Sequence, residues 1–554
     1  MNIKCKKLIL SHKIHVKILL YKIFTLHIER RTKLNKKIIL NWAKSNYEEG
    51  DEKDRKFKNI RKFFDMKEKQ DYTIDDETWS DMDMDRVYSK LDRTSSTLGE
   101  SILYYMLRNP LNDEEKLKKR NDLIQLFKKD INLRDKLLVI YYELGKDRKN
   151  TFLDMMKSEL VINKLKYYLY TILGKIFPLI AVLFTVFVNE SYAKYIAISA
   201  ALNMFINYKE RDTIKSRGII YLRGIIKAAK KISSIRNNEL KYYIDSIDDN
   251  LRQVKSIDRG TLLINFVNMW QGLFEAVSVI FLIEECAYYK ISGVLKDKKE
   301  YIMNIFYILG ELESLLSISG YQKSFKKEFT HPIFMKEVSL NITDGIHPLL
   351  DNPIANSVSI KDKGIVLTGT NMSGKSTFLR MLGINILLSQ TFYFALAKEY
   401  KASFFNIVSS ISPNDDLSKG KSYYMAEAEG ILRIVKALEK DLPVFCPIDE
   451  IFRGTNPIER IAMSAEILSY LQNGRTVSIV ATHDRELVDI LKDSYEFYYF
   501  SESVDSKNGL NFDYKLKVGV SSTRNAIKLL EYIGYPKEVT EKAYKRAETI
   551  KGFI

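Results

Sequence analysis

Cysteine is scarce in this chain, whose 554 residues include only Cys5, Cys286 and Cys446, far apart from one another. An odd and dispersed set excludes a disulfide framework and a cysteine-rich metal site, and it fits a reducing compartment. Glycine and proline are also few, at 24 and 10 residues. Their scarcity argues against long flexible linkers and favours a largely helical chain.

Acidic residues are outnumbered, with 70 Asp+Glu against 87 Lys+Arg and a net charge of +17. This excess favours a polyanionic partner, either nucleic acid or an anionic membrane surface. The first residues are basic, and Lys17 and Lys22 interrupt their apolar stretch. That pattern predicts an amphipathic basic helix instead of a secretory signal. The helix either contacts phosphate or lipid headgroups or packs on the body with a solvated basic face.

The sequence pattern changes at about residue 331, where short β-branched runs begin to alternate with helical patterns. Alternation of this kind predicts an α/β domain with a mostly parallel sheet, so the fold class is mixed, with an all-α region first. A length of 554 residues allows roughly three or four domains. The predicted segments are a basic helical segment (1–70), a helical core (71–160), an apolar hairpin (161–210), a second core and lever region (211–335), an α/β domain (336–522) and C-terminal helices (523–554).

Long apolar runs are rare, and two of them are adjacent. Residues 167–188 contain one charge, Lys175, and residues 192–208 contain one charge, Lys194. About 20 apolar residues cross a bilayer as a helix, so the first run is long enough and the second is marginal. Either the pair is a transmembrane hairpin or it is a buried hairpin of a soluble core. In the first case the flanking basic residues would leave both ends on the cytoplasmic side: Lys164, Lys166, Lys209 and Arg211.

A third apolar run, 261–283, differs from this pair. It carries Asn265, Asn268, Gln271 and Glu275. A buried core helix accommodates these polar side chains at lower cost than lipid does. We therefore predict a core helix here.

Residues 365–377, IVLTGTNMSGKST, contain a phosphate-binding loop of the form G-x-x-x-x-G-K-[ST]. A strand-like run precedes the loop and a helical pattern follows it, which is the context that such a loop requires. The backbone N–H groups and the helix N-terminus favour phosphate. Lys375 is expected to neutralise the β and γ oxygens, and the Ser376 hydroxyl to ligate Mg²⁺. The motif predicts binding of ATP with magnesium.

An acidic pair, Asp449 and Glu450, ends the apolar run VFCPIDE. Asp449 is expected to organise Mg²⁺ and Glu450 to polarise the attacking water. Pro447 cannot donate a ladder hydrogen bond, so we expect an irregular strand there and a less certain position for Asp449. A third strand, in VSIVATHDREL, ends just before His483, where a side chain can sense the γ-phosphate. The alternative for His483 is a surface residue after a strand.

Together these motifs resemble the ATPase domain of the MutS family. The resemblance rests on TGTNMSGKSTFLR (368–380), KSYYMAE (421–427), DEIFRGTNPIER (449–460) and ATHDREL (481–487). HPLL (347–350), Asn356 and the closing GVSSTRNAIKLLEYIGYPKEV (519–539) match as well, and LDRTSSTLGESILYYMLRNPL (91–111) is similar to the start of the family's helical core and lever region.

The resemblance implies an ABC-like P-loop domain and assigns roles by position. The nucleotide would be cradled by Gly369, Thr370, Asn371, Met372, Ser373, Gly374, Lys375, Ser376 and Thr377. Ser376 and Asp449 would organise Mg²⁺, Glu450 would activate water, and His483 would sense the γ-phosphate. Ser422 would reach the nucleotide of a partner subunit, and helices in 523–554 would dimerise the chain.

Two departures from the family point to a shortened member. No Phe-x-Glu motif of a mismatch-reading domain occurs in the amino-terminal half, since Phe500-Ser501-Glu502 lies in the ATPase region. A nuclease tail of the kind found in one branch is also missing. Recognition of mismatches is therefore doubtful on sequence grounds.

The resulting expectation is a homodimeric Mg²⁺-dependent ATPase that clamps duplex or branched DNA, mainly through phosphate contacts, in repair or recombination. It would be cytoplasmic, or held at the inner face of the cell membrane if 167–208 enters lipid. The alternative is a membrane-anchored scaffold or switch that uses ATP without touching DNA. A transport ATPase would need a permease. A chromosome-condensation ATPase would separate the phosphate loop and the acidic motif by hundreds of residues.

Overall fold

The computed structural model describes residues 37–50, 55–158, 163–214, 216–255, 257, 273–370, 373–411, 423–453, 455–505, 509–520 and 526–549. These residues form two compact units. The helical unit comprises the described parts of Met1–Met66, Arg93–Ile102 and Leu126–Ser324. The sheet unit comprises those of Lys67–Asp92, Leu103–Gln125 and Phe325–Ile554. Residues 71–92 and 103–125, which the sequence assigned to the helical core, therefore cluster with the sheet unit.

Helices account for nearly all of the described chain before residue 330. They are α1 (37–49), α2 (Phe57–Ile60), α3 (Lys62–Met66), α4 (Asp76–Asp81), α5 (Met84–Leu91), α6 (Thr97–Arg108), α7 (Glu114–Lys129), α8 (Ile131–Leu144), α9 (Thr151–Lys157), α10 (Lys164–Thr171), α11 (Phe177–Phe187), α12 (Ala193–Ile214), α13 (Ser216–Ser233), α14 (Lys241–Gln253), α15 (Leu273–Ile280) and α16 (Ile283–Ser324). A π-helical turn, Ile172–Ile176, joins α10 to α11, and a 3₁₀ turn, Glu190–Tyr192, precedes α12.

The helical unit is built around α16, a helix of 42 residues that is about 63 Å long. Phe306 on this helix stacks between Phe63 and Phe152, with ring centroids 5.5 and 5.3 Å away. Farther along, the buried Glu313 carboxylate accepts hydrogen bonds from the backbone N–H of Ser95 at 2.6 Å and of Ser96 at 3.1 Å. Glu313 thereby binds two backbone donors that lie immediately before α6 and have no partner within that helix.

The two adjacent apolar runs form a helical hairpin, as predicted, with its turn at residues 188–192. Two described helices are long and apolar enough to cross a membrane, Lys164–Phe187 and Ser292–Ser324. The two helices differ in burial. In the apolar 18-residue stretch of Ser292–Ser324, 72% is buried inside the protein, whereas in that of Lys164–Phe187 only 22% is buried. The later helix is thus a core helix. Of the third run, only residues from 273 onward are described, and they form α15 and the start of α16.

The sheet unit contains two sheets. Its strands are β1 (Ile333–Phe334), β2 (Leu340–Gly345), β3 (Asn356–Ile360), β4 (Gly364–Thr368), β5 (Glu399–Ala402), β6 (Asn406–Ile407), β7 (Val444–Asp449), β8 (Thr476–Ala481), β9 (Tyr495–Asp505) and β10 (Gly509–Val518). The larger sheet has the order β10-β9-β4-β8-β7-β6. All its neighbours are parallel except β9 and β10, so the predicted mostly parallel sheet is present. The smaller sheet, β1-β5-β2-β3, is mostly antiparallel.

β7 is regular on the side of β8, and the irregularity expected at Pro447 is confined to its other side. The pairing of β7 with β8 runs without a shift from Val444 opposite Thr476 to Asp449 opposite Ala481. On the other side, the regular pairing stops at Ile407 opposite Phe445, but the chain continues beside β7. The N–H groups of Val408 and Ser410 donate to the carbonyl oxygens of Phe445 and Pro447, both at 3.1 Å. Pro447 has no N–H to donate, and the Asp449 N–H restores the pairing by donating to the Ser410 carbonyl at 2.9 Å.

The helices of the sheet unit after β4 are α17 (Lys375–Phe392), α18 (Tyr423–Ala437), α19 (Pro457–Gln472), α20 (Glu486–Leu491), α21 (Ala526–Tyr532) and α22 (Lys537–Thr549). The early segment α4–α5 is attached through Asp81, whose carboxylate accepts from the Ser409 hydroxyl and the Ile411 N–H at 2.7 and 2.9 Å. The predicted C-terminal helices, as far as they are described, are α21 and α22, with Gly534 between them.

Candidate nucleotide-binding site

The phosphate loop connects the buried central strand β4 to the long helix α17. Gly369 and Gly374 have φ values of 140° and 109°, in a region that side-chain-bearing residues rarely adopt. Space is also limited, because a Cβ at Gly369 would lie 3.0 Å from the Phe500 carbonyl oxygen. These two positions therefore require glycine for the loop to close around a ligand.

Lys375 begins α17 and is buried. Its Nζ donates to the carbonyl oxygens of Gly369 and Thr370 at 2.7 and 3.0 Å, so the ammonium lies across the loop. The hydroxyls of Thr370 and Ser373 are buried and have no hydrogen-bond partner among the described residues. Buried donors without partners are costly. A ligand with several acceptor oxygens, such as a polyphosphate, would satisfy them.

Ser376 and Asp449, the two residues predicted to organise Mg²⁺, lie in direct contact. The Ser376 hydroxyl donates to Oδ2 of Asp449, the last residue of β7. Two hard oxygen donors of this kind suit Mg²⁺, which usually takes one or two carboxylates and completes its shell with phosphate oxygens and water. No cluster of three or more His, Cys, Asp or Glu side chains that could hold a metal occurs in the part of the chain that the structure describes.

Glu450 has an unusual backbone, with φ of 65°. Its N–H donates to the Ala481 carbonyl at 2.8 Å, which fixes this conformation beside β8. A non-glycine residue in the left-handed region costs about 1–2 kcal/mol, and such strain concentrates at functional sites. The conformation directs the carboxylate to two neighbours: Oε2 lies 2.9 Å from Nε of Arg453, and Oε1 lies 3.3 Å from Nε2 of His483.

His483 follows β8, and the preceding residue, Thr482, ties this end of the strand to β4 by donating its N–H to the Leu367 carbonyl at 3.0 Å. Burial lowers the pKa of His483 below its ordinary value, and the positive charge of Lys375 acts in the same direction. The Glu450 carboxylate opposes this shift without reversing it. The imidazole is therefore neutral at pH 7 and can donate one hydrogen bond from Nε2.

These groups line one cavity of about 820 Å³. It is large enough for a nucleotide, since ligand pockets commonly measure about 300–1,000 Å³. At its edge lies the partly exposed ring of Tyr514 in β10. Asn356 fixes this strand, because its amide donates to the Tyr514 carbonyl at 3.0 Å and accepts from the Leu516 N–H at 2.8 Å.

His347 lines the same cavity and is buried. Its Nδ1 accepts from the Leu349 N–H at 3.2 Å. Burial lowers the pKa of His347 to about 4, and the charges of Arg380 and Arg86 contribute to the shift. The side chain is therefore a neutral acceptor at pH 7.

Most of the predicted site residues converge on this cavity. Lining it are Thr370, Gly374, Lys375, Ser376, Thr377, Asp449, Glu450 and His483, and Gly369 and Ser373 belong to the same loop. Asn371, Met372 and Ser422 lie outside the described residues, so their predicted contacts remain predictions.

The sequence reasoning gave no role to Arg453, although its spacing of three residues after Glu450 was a usable signal. It also left out Tyr514, for which the sequence offers no local signal.

Comparison with known proteins agrees with this geometry. Residues 365–551 match the family model for MutS domain V. The DNA mismatch repair protein MutS of Thermus thermophilus is 24% identical over 83% of this chain and 60% of its own length. That of Thermus caldophilus is 30% identical over 43% of the chain and 28% of its own length. That of Listeria welshimeri is 27% identical over 49% of the chain and 32% of its own length.

The site and the matches together define the class: this chain contains a P-loop nucleotide-site domain of the MutS type. The chain is thus similar to MutS proteins over most of its length, and over residues 365–551 to MutS domain V in particular. It spans 60% of the length of the first of these relatives.

Proposed function

We propose that this protein is a Mg²⁺-dependent ATPase that acts as a homodimer on DNA. One observation supports the proposal most strongly: Lys375, the Ser376–Asp449 pair and the Glu450–His483 pair line a single cavity of nucleotide size. The family relationship and the names of the relatives, which are DNA mismatch repair proteins, support the same conclusion.

Each group of site residues would have a separate chemical role. The loop N–H groups and Lys375 would bind the phosphates, and Ser376 with Asp449 would hold Mg²⁺. Bound magnesium supplies positive charge that offsets the charge developing on the phosphate oxygens. Glu450 is the group placed to take a proton from the attacking water. Neutral His483, whose Nε2 lies 3.3 Å from Oε1 of Glu450, would donate to that carboxylate and would respond to the γ-phosphate.

Arg453 positions Glu450 in this arrangement. Its guanidinium contacts the Glu450 carboxylate, and it also donates to the Asp449 carbonyl oxygen at 2.8 Å. The two acidic residues thus have a common support that fixes the base relative to the magnesium ligand. Without Arg453, the Glu450 carboxylate would keep its contact with His483 but would lose this support.

DNA as the partner is supported by the net charge of +17 and by the family relationship. Contacts made mainly to phosphates would give an affinity that falls steeply with salt. Dimerisation follows from the family resemblance, in which Ser422 would reach the partner's nucleotide. The proposal covers ATP hydrolysis and DNA backbone contact and does not extend to the reading of mismatched bases.

The test uses the purified full-length chain. Phosphate release is measured with and without Mg²⁺, and Lys375→Ala serves as the inactive control. Binding to homoduplex, mismatched and branched DNA is measured at several salt concentrations with and without ATP. Sedimentation with a non-hydrolysable ATP analogue reports assembly. Hydrolysis without a salt-dependent DNA affinity would favour the ATP-driven scaffold, and a failure to bind ATP would refute the proposal.

A further inference from the structure

The apolar hairpin, residues 164–214, has an unusual surface. Nineteen exposed large apolar or aromatic side chains lie between Leu165 and Tyr208. Soluble monomers rarely expose a contiguous apolar patch of more than a few hundred Å². The function proposed for the nucleotide site does not involve this surface, so the surface requires a separate explanation.

The exposed surface of the first helix covers more than half of its circumference and is apolar throughout α11. The exposed side chains of α11 are those of Leu179, Ile180, Val182, Leu183, Phe184, Val186 and Phe187. Successive helical residues are 100° apart, so these positions span an arc of about 200°, and the remaining face holds the buried Pro178 and Ala181. A surface helix of a soluble protein would turn polar or charged side chains away from its apolar stripe, and the exposed arc of α11 has none. The distribution therefore favours lipid as the occupant.

Several polar groups of the hairpin turn inward and donate hydrogen bonds within the protein, whereas the Ser199 hydroxyl and Asn203 Oδ1 are buried without a hydrogen-bond partner among the described residues. The π-helical turn and the end of α15 leave carbonyl groups outside regular helical bonding, and Asn203 binds both. Its amide donates to the carbonyl oxygens of Leu173 and Ile280 at 3.0 and 2.7 Å. The Thr185 hydroxyl donates to the Ala181 carbonyl at 2.7 Å. A bilayer requires such internal satisfaction, because no water is there to replace it.

A second polar cluster lies at the open end of the hairpin. The Glu210 carboxylate accepts from Lys166 Nζ at 2.7 Å, from the Tyr170 hydroxyl at 2.8 Å and from the Tyr289 hydroxyl at 2.7 Å. This cluster ties α10 and α12 to α16. It closes the hairpin at the end where the basic flanking residues lie.

Aromatic residues lie at both ends of the apolar hairpin. Tyr168 lies at the open end, and Phe184, Tyr192 and Tyr195 cluster near the turn with ring centroids 5.5 and 6.0 Å apart. From Tyr168 to Phe187 the helix rises about 28 Å, close to the ~30 Å thickness of a bilayer core. Tyrosine belts at such a spacing are typical of membrane interfaces.

Lys175 is the one exposed charge between these belts on the first helix. It lies about 12 Å from the start of the apolar run at residue 167. Helical side chains tilt toward the N-terminus, which is here the open, basic end. The long Lys175 side chain can therefore extend its ammonium toward the nearer headgroups.

We propose that residues 164–214 insert into a lipid bilayer as a helical hairpin, with the turn at Asn189–Ser191 on the far side. The basic residues at the open end contact anionic headgroups on the side that carries the rest of the chain. This proposal is independent of ATP hydrolysis and of DNA binding, so either can fail without the other.

The first experiment is fractionation of cells that express the full-length chain, followed by a carbonate wash. The native chain is expected to remain in the membrane pellet. The variant Leu179→Asp with Leu202→Asp places charges at exposed positions near the middle of each helix. Each charge should lower insertion about a hundredfold, so this variant should move to the supernatant. Ile131→Asp, an exposed site on the helical unit outside the hairpin, should stay in the pellet.

The second experiment determines topology in sealed vesicles of phosphatidylcholine with phosphatidylglycerol, in a Cys5→Ser background. Cys286 and Cys446 are buried. A membrane-impermeant maleimide added outside should label Ser158→Cys at once and Ser191→Cys only after detergent is added. Immediate labelling of Ser191→Cys would mean that the hairpin does not cross the bilayer.

ATP binding by each variant checks that the chain is folded. Extraction of the native chain by carbonate, with or without self-association through the hairpin, would overturn the proposal.

Discussion

Replacement of Glu450 by glutamine is the sharpest test of the nucleotide site. Glutamine keeps the shape of the side chain and tolerates the same backbone, but it cannot accept a proton from water. Loss of a general base costs about 10²–10⁴ in kcat, equivalent to roughly 3–5 kcal/mol of barrier. ATP binding should change little, because Lys375 and the loop N–H groups supply the phosphate contacts.

Stability should also be nearly unchanged in this variant. The contact of Glu450 with Arg453 is lost, but that guanidinium is 38% exposed, so the pair contributes at most ~1 kcal/mol. The assay combines steady-state phosphate release with equilibrium binding of a fluorescent ATP analogue and a thermal melt. Glu459→Gln, an exposed carboxylate in the first turn of α19, is the matched control. A kcat for Glu450→Gln within about threefold of the native value would refute the role of Glu450 as base.

The other predictions concern neighbouring residues of the same cavity. Lys375→Ala should abolish turnover and weaken ATP binding more than tenfold (about 1.4 kcal/mol), and unchanged binding in a filter assay would contradict the phosphate contact. Arg453→Gln should lower kcat about a hundredfold with little change in KM, because the base is no longer held. A change confined to KM would instead make Arg453 a ligand contact. For His347, a native pKa of about 4 against 6.5 means that the unfolded chain binds the proton first as pH falls. Stability should therefore be constant above pH 6.5 and fall by up to ~3 kcal/mol toward pH 4. His347→Asn, which keeps an acceptor for the Leu349 N–H, should reduce this loss in urea titrations.

The chemistry of the site could be predicted from sequence where it depends on local spacing. The loop from Gly369 to Thr377 carries its own backbone requirements, and the acidic pair follows a strand that must end at the same sheet edge. Accordingly, Ser376 and Asp449, which were both expected to organise Mg²⁺, are close together in the structure. The irregularity expected at Pro447 affects only one side of β7, because the strand pairs without a shift with β8, and no local pattern shows which side is affected.

Long-range features were beyond the reach of the sequence. Asn356 holds Tyr514 across 158 residues, and Asp81 binds Ser409 across 328 residues. Such pairings depend on how distant elements pack, and neither residue type is distinctive on its own. The contact of Arg453 with Glu450 depends in turn on the left-handed backbone of Glu450, which glutamate rarely adopts.

The long helix α16 has a mechanical consequence. Tyr289 near one end binds Glu210 of the apolar hairpin, and Glu313, 24 residues on, binds Ser95 and Ser96 before α6. The two points are about 36 Å apart on a single rigid rod. A tilt of α16 by only 5° about Tyr289 would move Glu313 by about 3 Å, which is more than the hydrogen bonds of Glu313 can stretch. Any force that reorients the hairpin must therefore either shift α6 or break the hydrogen bonds of Glu313 with Ser95 and Ser96.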